Sequence, residues 1–256
     1  MKGCQRLDCQ SGQRGFSFLE LSLVLLVIAL LTASVSYAVT STVESRSRAQ
    51  AIAQGLAVQA SIRAYALRNA RLPCPAVAAD GYESRVGQAC TAGLQQGFVP
   101  YVALGLPLPD QGLFAFYAVY RQPNADDALD ADLTQALERT GDVAGDANFA
   151  NSNDLVAALV RINPAAVNPA SPFVTGDNSS AGVIDCATNR VSAAAYWVAL
   201  PMQDANNDGI RLDASNSPTN LCATYPLAPL AAQFDDIVVA DTPLQLAGWL
   251  KSWAKP

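Results

Sequence analysis

Histidine is absent from this 256-residue chain, and its absence excludes the catalytic chemistry that depends on an imidazole. Serine and cysteine hydrolases use a histidine base, and HExxH metalloproteases use two histidine ligands. Glycine patterns that bind phosphates are also absent, because the glycines of LGLPLPDQG have the wrong spacing and are interrupted by prolines. We therefore expect a protein that is not an enzyme.

Two pairs of adjacent carboxylates, Asp126–Asp127 and Asp235–Asp236, are the remaining candidates for acid–base work. Adjacent residues on a β-strand point to opposite faces, so such a pair does not converge on one substrate. We interpret these aspartates as a solvated face or as ligands to a nearby loop.

Positive charge is scarce. The chain has 16 Lys and Arg residues against 22 Asp and Glu, which gives a formal net charge of −6. Nucleic-acid-binding surfaces need clustered Lys and Arg to neutralise phosphates. The composition therefore does not favour a nucleic-acid partner.

Charge is missing altogether from residues 21–43, a run of 23 residues. At about 1.5 Å per residue a helix of this length reaches roughly 35 Å, enough to cross a hydrocarbon core of about 30 Å. Glu20 stands at the start of the run, where an ionised side chain in an apolar segment needs a cationic partner. Cleavage of the chain after Gly15 creates such a cation, the α-amine of Phe16.

The first 15 residues, MKGCQRLDCQSGQRG, are short and polar. They carry Lys2, Arg6 and Arg14 against the single Asp8. The positive-inside rule places such a segment in the cytoplasm. Removing its net charge of +2 from −6 leaves a mature chain near −8.

These features resemble the class III leader of type IV prepilins and type II secretion pseudopilins. The resemblance covers roughly residues 12–68 and includes the basic leader, Gly15, the aromatic Phe16, Glu20 and the apolar span. It implies that a prepilin peptidase cuts between Gly15 and Phe16 and methylates the new amine. It also implies that Glu20 pairs with the N-terminus of a neighbouring pilin or pseudopilin subunit, and that an inner-membrane assembly platform builds the filament. Tyr37 stands where many major pilins have proline, so we expect a straighter helix.

Two other interpretations of the apolar run are weaker. A secretory signal peptide cut near Ser36 and Ala38 normally has an apolar core of about 7 to 15 residues, and it does not begin with a glutamate. An ordinary single-pass anchor, with Glu20 only facing the N-terminal end of the helix dipole, is the second alternative.

Helix signals continue beyond the span and stop before Pro73. We expect a leader at 1–15, a long helix within 16–72 and a globular periplasmic domain at 73–256. The helix comprises a membrane span at about 16–43 and an amphipathic half at about 44–69. Its apolar stripe is Ile52, Leu56, Ile62 and Tyr65, which we interpret as core rather than as a groove for a partner.

The remainder of the chain predicts an α+β, pilin-like fold, a long N-terminal transmembrane helix packed on an antiparallel β-sheet domain. Candidate strands are residues 113–121, 182–187, 190–200 and 234–240. Candidate helices between the first two strands are residues 127–140 and 152–162. The elements LPCP, LGLP with Asp110, and FDDIVV also resemble a set of large prepilin-type proteins.

Four cysteines lie in the part expected to be exported, where disulfides persist: Cys74, Cys90, Cys186 and Cys222. Four cysteines allow three pairings, and short closures along the chain favour Cys74–Cys90 and Cys186–Cys222. Free buried thiols are the alternative. A zinc site is disfavoured, since without CxxC or histidine only four thiolates could form it.

The sequence DANNDG matches the first half of a calcium loop, with Asp204, Asn206 and Asp208 as alternating oxygen ligands. The Ile210 carbonyl and Asp213 are the expected additional ligands, although the twelfth position is serine instead of glutamate. Asp, Asn and Gly are also ordinary turn residues. A structural calcium site and a bare turn both stay open, and no cofactor is required.

The function expected from these features is structural, that of a minor pilin or pseudopilin in a type IV pilus or type II secretion-like filament. The subunit begins in the inner membrane and ends in a filament or at the cell surface. The alternative is a pilin-anchored adhesin or substrate-binding module at the filament tip, with contacts made by an insertion at about residues 122–182.

Overall fold

The structure is a computed structural model. It describes residues 17–110, 112–141, 149–162, 167–176, 184–204, 209–213, 215–229 and 234–253, without the side chains of 37–42 and 128. The chain forms two compact units, and the boundary between them lies between Ser47 and Arg48. The fold is α+β, with an N-terminal apolar helix and sheets that are mainly antiparallel.

The first helix, α1, spans Phe18–Asn69 and is continuous past Tyr37. It ends where Ala70 adopts a positive φ of 52°, a left-handed conformation that stops helices. The long helix expected from the apolar run and the following periodic segment is therefore present in the described residues. The expected stop before Pro73 agrees with this end.

Short strands and helices make up the rest of the described chain. The strands are β1 Arg85–Val86, β2 Ala89–Cys90, β3 Gln96–Phe98, β4 Phe116–Val119, β5 Phe173–Thr175, β6 Arg190–Ala193, β7 Tyr196–Leu200, β8 Cys222–Ala223 and β9 Ile237–Asp241. The helices are α2 Tyr101–Leu104, α3 Ser152–Arg161 and α4 Pro243–Trp253, with one 3₁₀ turn at Asp127–Leu129.

The central sheet has the strand order β3-β4-β7-β9, and each neighbouring pair is antiparallel. A second sheet has the order β6-β5-β8, in which β5 and β8 run parallel. The β1–β2 hairpin is separate. The antiparallel sheet expected from the sequence is therefore present, and the β5–β8 pair is a parallel exception.

Both faces of the central sheet are buried, and β7 shows this residue by residue. Tyr196 and Val198 face the cluster that contains α1, α3 and α4, whereas Trp197 and Ala199 face the cluster that contains β5 and β8. Successive side chains of a strand alternate between faces, so one strand contributes to both clusters. The unit from Arg48 onward thus stacks helices, the central sheet and the smaller sheet in layers.

The outer part of α1, residues 48–69, packs on the central sheet through Val58, Ile62, Tyr65 and Ala66, which are all buried. Gly55 lets the backbones approach closely, because a Cβ there would lie 3.2 Å from side-chain atoms of both β7 and β9. The expected stripe is partly wrong, since Leu56 is 49% exposed.

Two disulfides are present in this unit. Cys74 is bonded to Cys90, and Cys186 is bonded to Cys222. These are the pairs that short closures along the chain favour. The first joins the segment after α1 to β2, and the second joins the segment after residue 184 to β8.

Three expected elements differ from the structure. Residues 127–140 form only a 3₁₀ turn instead of a helix, and residues 184–187 of the expected strand at 182–187 are not a strand. The single strand expected at 190–200 is divided into β6 and β7, which belong to different sheets. In addition, α4 was not expected from the sequence pattern.

Candidate functional site

A reciprocal hydrogen-bond pair opens α1 at Ser17 and Glu20. The Ser17 N–H donates to Glu20 Oε2 at 2.9 Å, and the Glu20 N–H donates to Ser17 Oγ at 3.2 Å. This is a capping box, which satisfies two backbone donors at a helix N-terminus. Glu20 therefore has a partner in its own chain, and the sequence signal for that partner, S-x-x-E, was missed.

The first part of α1, which follows this cap, is apolar and exposed. Phe18–Ser36 is long and apolar enough to cross a membrane, and none of this segment is buried within the structure. Large side chains along it are about half exposed or more: Phe18, Leu19, Leu21, Leu23, Leu25, Leu26, Ile28, Leu30 and Leu31. The same length and composition fit a membrane anchor and a signal sequence alike.

The expected cleavage site, Gly15 and Phe16, lies outside the described residues. Only Glu20 of the three expected processing and assembly residues can be placed. It lies on the first turn of α1 and is exposed.

A buried carboxylate, Asp241 on β9, holds the outer part of α1 to the sheet. Arg63 donates from Nε to Asp241 Oδ2 at 2.8 Å, and Gln59 Nε2 donates to Asp241 Oδ1 at 3.1 Å. The hydroxyl of the buried Tyr196 donates to Oδ2 at 2.5 Å. Asp241 is 1% exposed, so this network fixes the helix relative to two neighbouring strands.

A second carboxylate, Glu83, fixes the segment that leaves α1. Arg71 donates to both of its oxygens, at 2.7 and 3.0 Å. The Cys74 N–H and the Tyr65 hydroxyl donate to the same carboxylate at 2.6 and 3.0 Å. Glu83 thus joins the end of the helix to the Cys74–Cys90 disulfide. No local sequence pattern indicated this role.

Replacement of Glu83 by glutamine should lower the free energy of unfolding by about 3 kcal/mol at neutral pH, because it leaves the buried Arg71 without its counter-charge. Burial opposes ionisation of Glu83, but hydrogen bonds from Arg71 and Cys74 outweigh it and hold its pKa below the ordinary value. The ionised carboxylate therefore stabilises the fold above the ordinary carboxyl pKa. That contribution is lost as the pH falls through the lowered folded-state pKa.

Thermal unfolding of the full-length protein in detergent micelles measures this effect. The difference between wild type and Glu83→Gln should be large near pH 7 and much smaller near pH 3. The exposed Glu44 provides the control, and Glu44→Gln should follow wild type at both values. A difference that is the same at both pH values contradicts the role assigned to Glu83.

The residues of the expected calcium loop separate into different environments. Asp204 Oδ2 accepts the Gly209 N–H at 2.9 Å, which is a turn-type hydrogen bond. Asn206 and Asp208 lie outside the described residues. Ile210 is 47% exposed, whereas Asp213 is fully buried.

Asp213 instead meets Asp235 and Asp236. One carboxylate oxygen from each lies within 4.8 Å of the others. Asp235 and Asp236 precede β9, so the alternation expected for strand residues does not separate them. The prediction that they point to opposite faces is wrong for this reason, while their alternative role as ligands to a nearby loop stays a prediction.

The acidic cluster has unusual electrostatics. Burial raises the pKa of Asp236 to about 8, despite hydrogen bonds from Asn216 and the Asp213 N–H, and the charges of Asp213 and Asp235 add to the rise. Burial also raises the pKa of Asp235 to about 6. Two like charges at this separation repel by roughly 3 kcal/mol at an effective dielectric of about 20. The cluster therefore disfavours three ionised carboxylates unless a cation lies among them.

Comparison with known proteins gives no relative from which a role can be transferred, since no family model, no curated protein and no solved structure matches the chain. The class of the protein therefore has to be inferred from its own residues. The residues that carry that inference are those of the capped, exposed start of α1.

Proposed function

We propose that this chain is a structural subunit of a filament, a minor pilin or pseudopilin of a type IV pilus or type II secretion-like system. The observation that carries the proposal is the start of α1. A single carboxylate, Glu20, lies on its first turn, directly before an exposed and uncharged apolar segment that ends at Ser36. A pilin-like fold is part of this proposal.

We expect the exposed apolar side chains to be covered first by lipid and then by other subunits. Before assembly, lipid covers them, with the leader in the cytoplasm and the globular unit in the periplasm. After processing by a prepilin peptidase, the helices of other pilin or pseudopilin subunits cover the same side chains in the filament. An inner-membrane assembly platform moves the subunit from one environment to the other.

Glu20 gives the assembly step its specificity. Its carboxylate accepts the Ser17 N–H through Oε2, and a carboxylate can accept several further bonds. The methylated amine of a neighbouring Phe16 is the cation that would bind there. In an apolar environment an unpaired carboxylate costs on the order of 3 kcal/mol, so pairing favours the assembled subunit.

An adhesin role is the second candidate, and two exposed side chains in the segment at 122–182 favour it. Leu129 and Val160 are each 60% exposed. Leu133, Leu155 and Leu159 from the same segment are fully buried, so deletion of the segment would disrupt the core. Charged substitutions at Leu129 and Val160 are the cleaner test. Loss of adherence with intact filaments favours the adhesin.

The N-terminus of the mature protein tests the proposed function. In cells that contain a prepilin peptidase, the mature chain should begin with methylated Phe16, because Gly15 presents no side chain at the scissile bond. Gly15→Lys should block cleavage and leave the leader attached. Mass spectrometry of the membrane-extracted protein measures both the new N-terminus and the added methyl group.

Gly3→Lys is the matched control, since it adds the same charge to the leader away from the expected cleavage site. This variant should be processed like wild type. An intact Met1 in wild-type membranes would overturn the proposed function. An N-terminus near residue 39 would do the same and would assign the apolar run to a secretory signal peptide.

A further inference from the structure

The cluster of Asp213, Asp235 and Asp236 brings together carboxylates from two separate segments of the chain. One oxygen from each residue lies within 4.8 Å of the other two. Asp213 belongs to the described segment 209–213, and the other two residues immediately precede β9. Asp204 is not a member of this group, although its carboxylate is among the described residues.

Asp236 has a buried carboxylate oxygen without a hydrogen-bond partner in the described residues. It is 2% exposed, and its Oδ2 atom accepts the Asp213 N–H at 2.7 Å and Asn216 Nδ2 at 3.0 Å. Its Oδ1 atom is buried and has no hydrogen-bond partner among the residues that the structure describes. Buried polar atoms are nearly always satisfied, so this carboxylate oxygen is expected to bind a water molecule or an ion.

From this arrangement we infer that Asp213, Asp235 and Asp236 bind one hard divalent cation, with calcium as the preferred ion. The orphaned Oδ1 of Asp236 is the interior ligand. Asp235 is only partly buried, so we expect the ion and its water molecules to enter from its side. This inference does not depend on the proposed filament function.

The spacing of the oxygens is compatible with calcium. Calcium–oxygen bonds are about 2.3–2.6 Å long, so two oxygens on opposite sides of one ion lie roughly 4.6–5.2 Å apart. Three oxygens within 4.8 Å of one another therefore fit a single calcium shell. Magnesium requires bonds of about 2.0–2.1 Å in a near-ideal octahedron, whereas calcium accepts the irregular shell that carboxylates from two separate chain segments supply.

Neighbouring hydrogen bonds hold the carboxylates in place before any ion binds. The Gln203 N–H donates to both oxygens of Asp235, at 3.1 and 3.3 Å. The two bonds to Asp236 Oδ2 orient that carboxylate so that Oδ1 stays available. The ion would join the segment that ends at Asp213 to the start of β9, two parts of the chain that the disulfides do not connect directly.

The inference differs from a calcium loop formed by DANNDG in the residues that it requires. Three carboxylates carry enough negative charge for a divalent ion, and water completes a shell of six to eight oxygens. With much of the shell supplied by water, we expect weak, extracellular-type affinity, with a dissociation constant of roughly 0.1–1 mM.

Calcium binding by the full-length protein in detergent micelles tests the inference. After chelator treatment, equilibrium dialysis against calcium followed by elemental analysis should show one ion per chain at saturation. Asp236→Asn should weaken binding at least about tenfold, because it removes the charge of the interior ligand. The asparagine side-chain oxygen still accepts the two bonds that Asp236 Oδ2 accepts, so the variant should fold.

Asp80→Asn is the matched control, since it removes one exposed carboxylate elsewhere in the same unit and should bind like wild type. Calcium should also raise the melting temperature of wild type and Asp80→Asn more than magnesium does. If Asp236→Asn fails to give a native near-ultraviolet circular dichroism spectrum, a variant at the less buried position, Asp235→Asn, replaces it, with the same expected loss.

Two results would overturn the inference. The first is no calcium bound by wild type above the level of the detergent blank at millimolar calcium. The second is full binding by a folded Asp236→Asn or Asp235→Asn variant together with loss in Asp204→Asn, which would assign the ion to the DANNDG loop.

Discussion

Glu20→Ala is expected to leave the protein processed and membrane-inserted, and to reduce its incorporation into filaments at least tenfold. A tenfold change corresponds to about 1.4 kcal/mol, less than the cost of roughly 3 kcal/mol for an unpaired charge in an apolar span. The measurement is the amount of tagged subunit in sheared filaments relative to the inner membrane. The N-terminus is checked by mass spectrometry in the same samples.

The capping box makes a sharper comparison possible. Glu20→Gln keeps a side-chain oxygen that can accept the Ser17 N–H, but it removes the charge. Ser17→Ala keeps the charge and removes the hydroxyl that accepts the Glu20 N–H. If the charge serves assembly, Glu20→Gln should fail like Glu20→Ala, and Ser17→Ala should incorporate nearly normally.

If Glu20→Gln incorporates normally and Ser17→Ala does not, Glu20 serves helix capping alone. Loss of a cap costs about 1 kcal/mol of helix stability, with no dependence on a neighbouring subunit. In that case Glu20→Gln behaves like wild type, and the assembly role assigned to the carboxylate is wrong. Normal incorporation of Glu20→Ala would exclude the assembly role.

Asp241→Ala is expected to destabilise the protein by about 3 kcal/mol, the lower end of the effect of breaking a buried ion pair, because the carboxylate is buried but Arg63 is partly exposed. The substitution leaves the Arg63 guanidinium and the buried Tyr196 hydroxyl without their shared acceptor. For a chain of this size the melting temperature should fall by on the order of 10 °C. Thermal unfolding of the full-length protein in detergent micelles measures the change.

Asp110→Ala is the control for this prediction, because Asp110 is an exposed aspartate and its removal should change the melting temperature by little. Tyr196→Phe should give an intermediate loss, since it removes only one of the donors to Asp241. A melting temperature of Asp241→Ala within 2 °C of wild type, roughly the effect of 0.5–1 kcal/mol, would contradict the anchoring role.

The helices that the sequence predicts well are those with strong local signals. The uncharged run and the periodic segment after it predict α1 closely, and its end before Pro73 agrees with the left-handed Ala70. At α3, Asn151 and Asp154 form a capping box, so its start was readable in advance.

The C-terminal helix α4 carried the same kind of signal and was missed. The Thr242 N–H donates to Gln245 Oε1, and the Gln245 N–H donates to Thr242 Oγ1. Pro243 occupies the first helical position, where its missing N–H costs nothing. The sequence T-P-L-Q before an apolar run therefore contains a recognisable helix start.

Residues 127–140 were wrongly predicted as a helix because their aspartates compete for the backbone. Asp130 Oδ1 accepts the Asp132 N–H, and Asp132 Oδ1 accepts the Thr134 N–H. Such local bonds stabilise turns at the expense of a helix. Arg139 then pairs with the buried Asp130, a tertiary contact that no periodicity reveals.

The candidate sites depend even more on distant parts of the chain. Arg63 and Asp241 are 178 positions apart, and Asp213 and Asp236 are 23 apart. Helical spacing and strand alternation describe neighbours within a few positions, so neither pairing can be predicted from them. Asp213 as a calcium ligand stays a prediction, and its carboxylate neighbours in the described residues come from the segment before β9.

The position of Asp241 on the last strand has a consequence for biosynthesis. The helix leaves the ribosome first, and its partner strand β9 leaves almost last, so the ion pair cannot form until nearly the whole chain has been made. Contacts between such distant residues close slowly. A chain truncated before β9 therefore lacks the acceptor for Arg63, so residues 48–69 of its first helix have no carboxylate on the last strand to hold them.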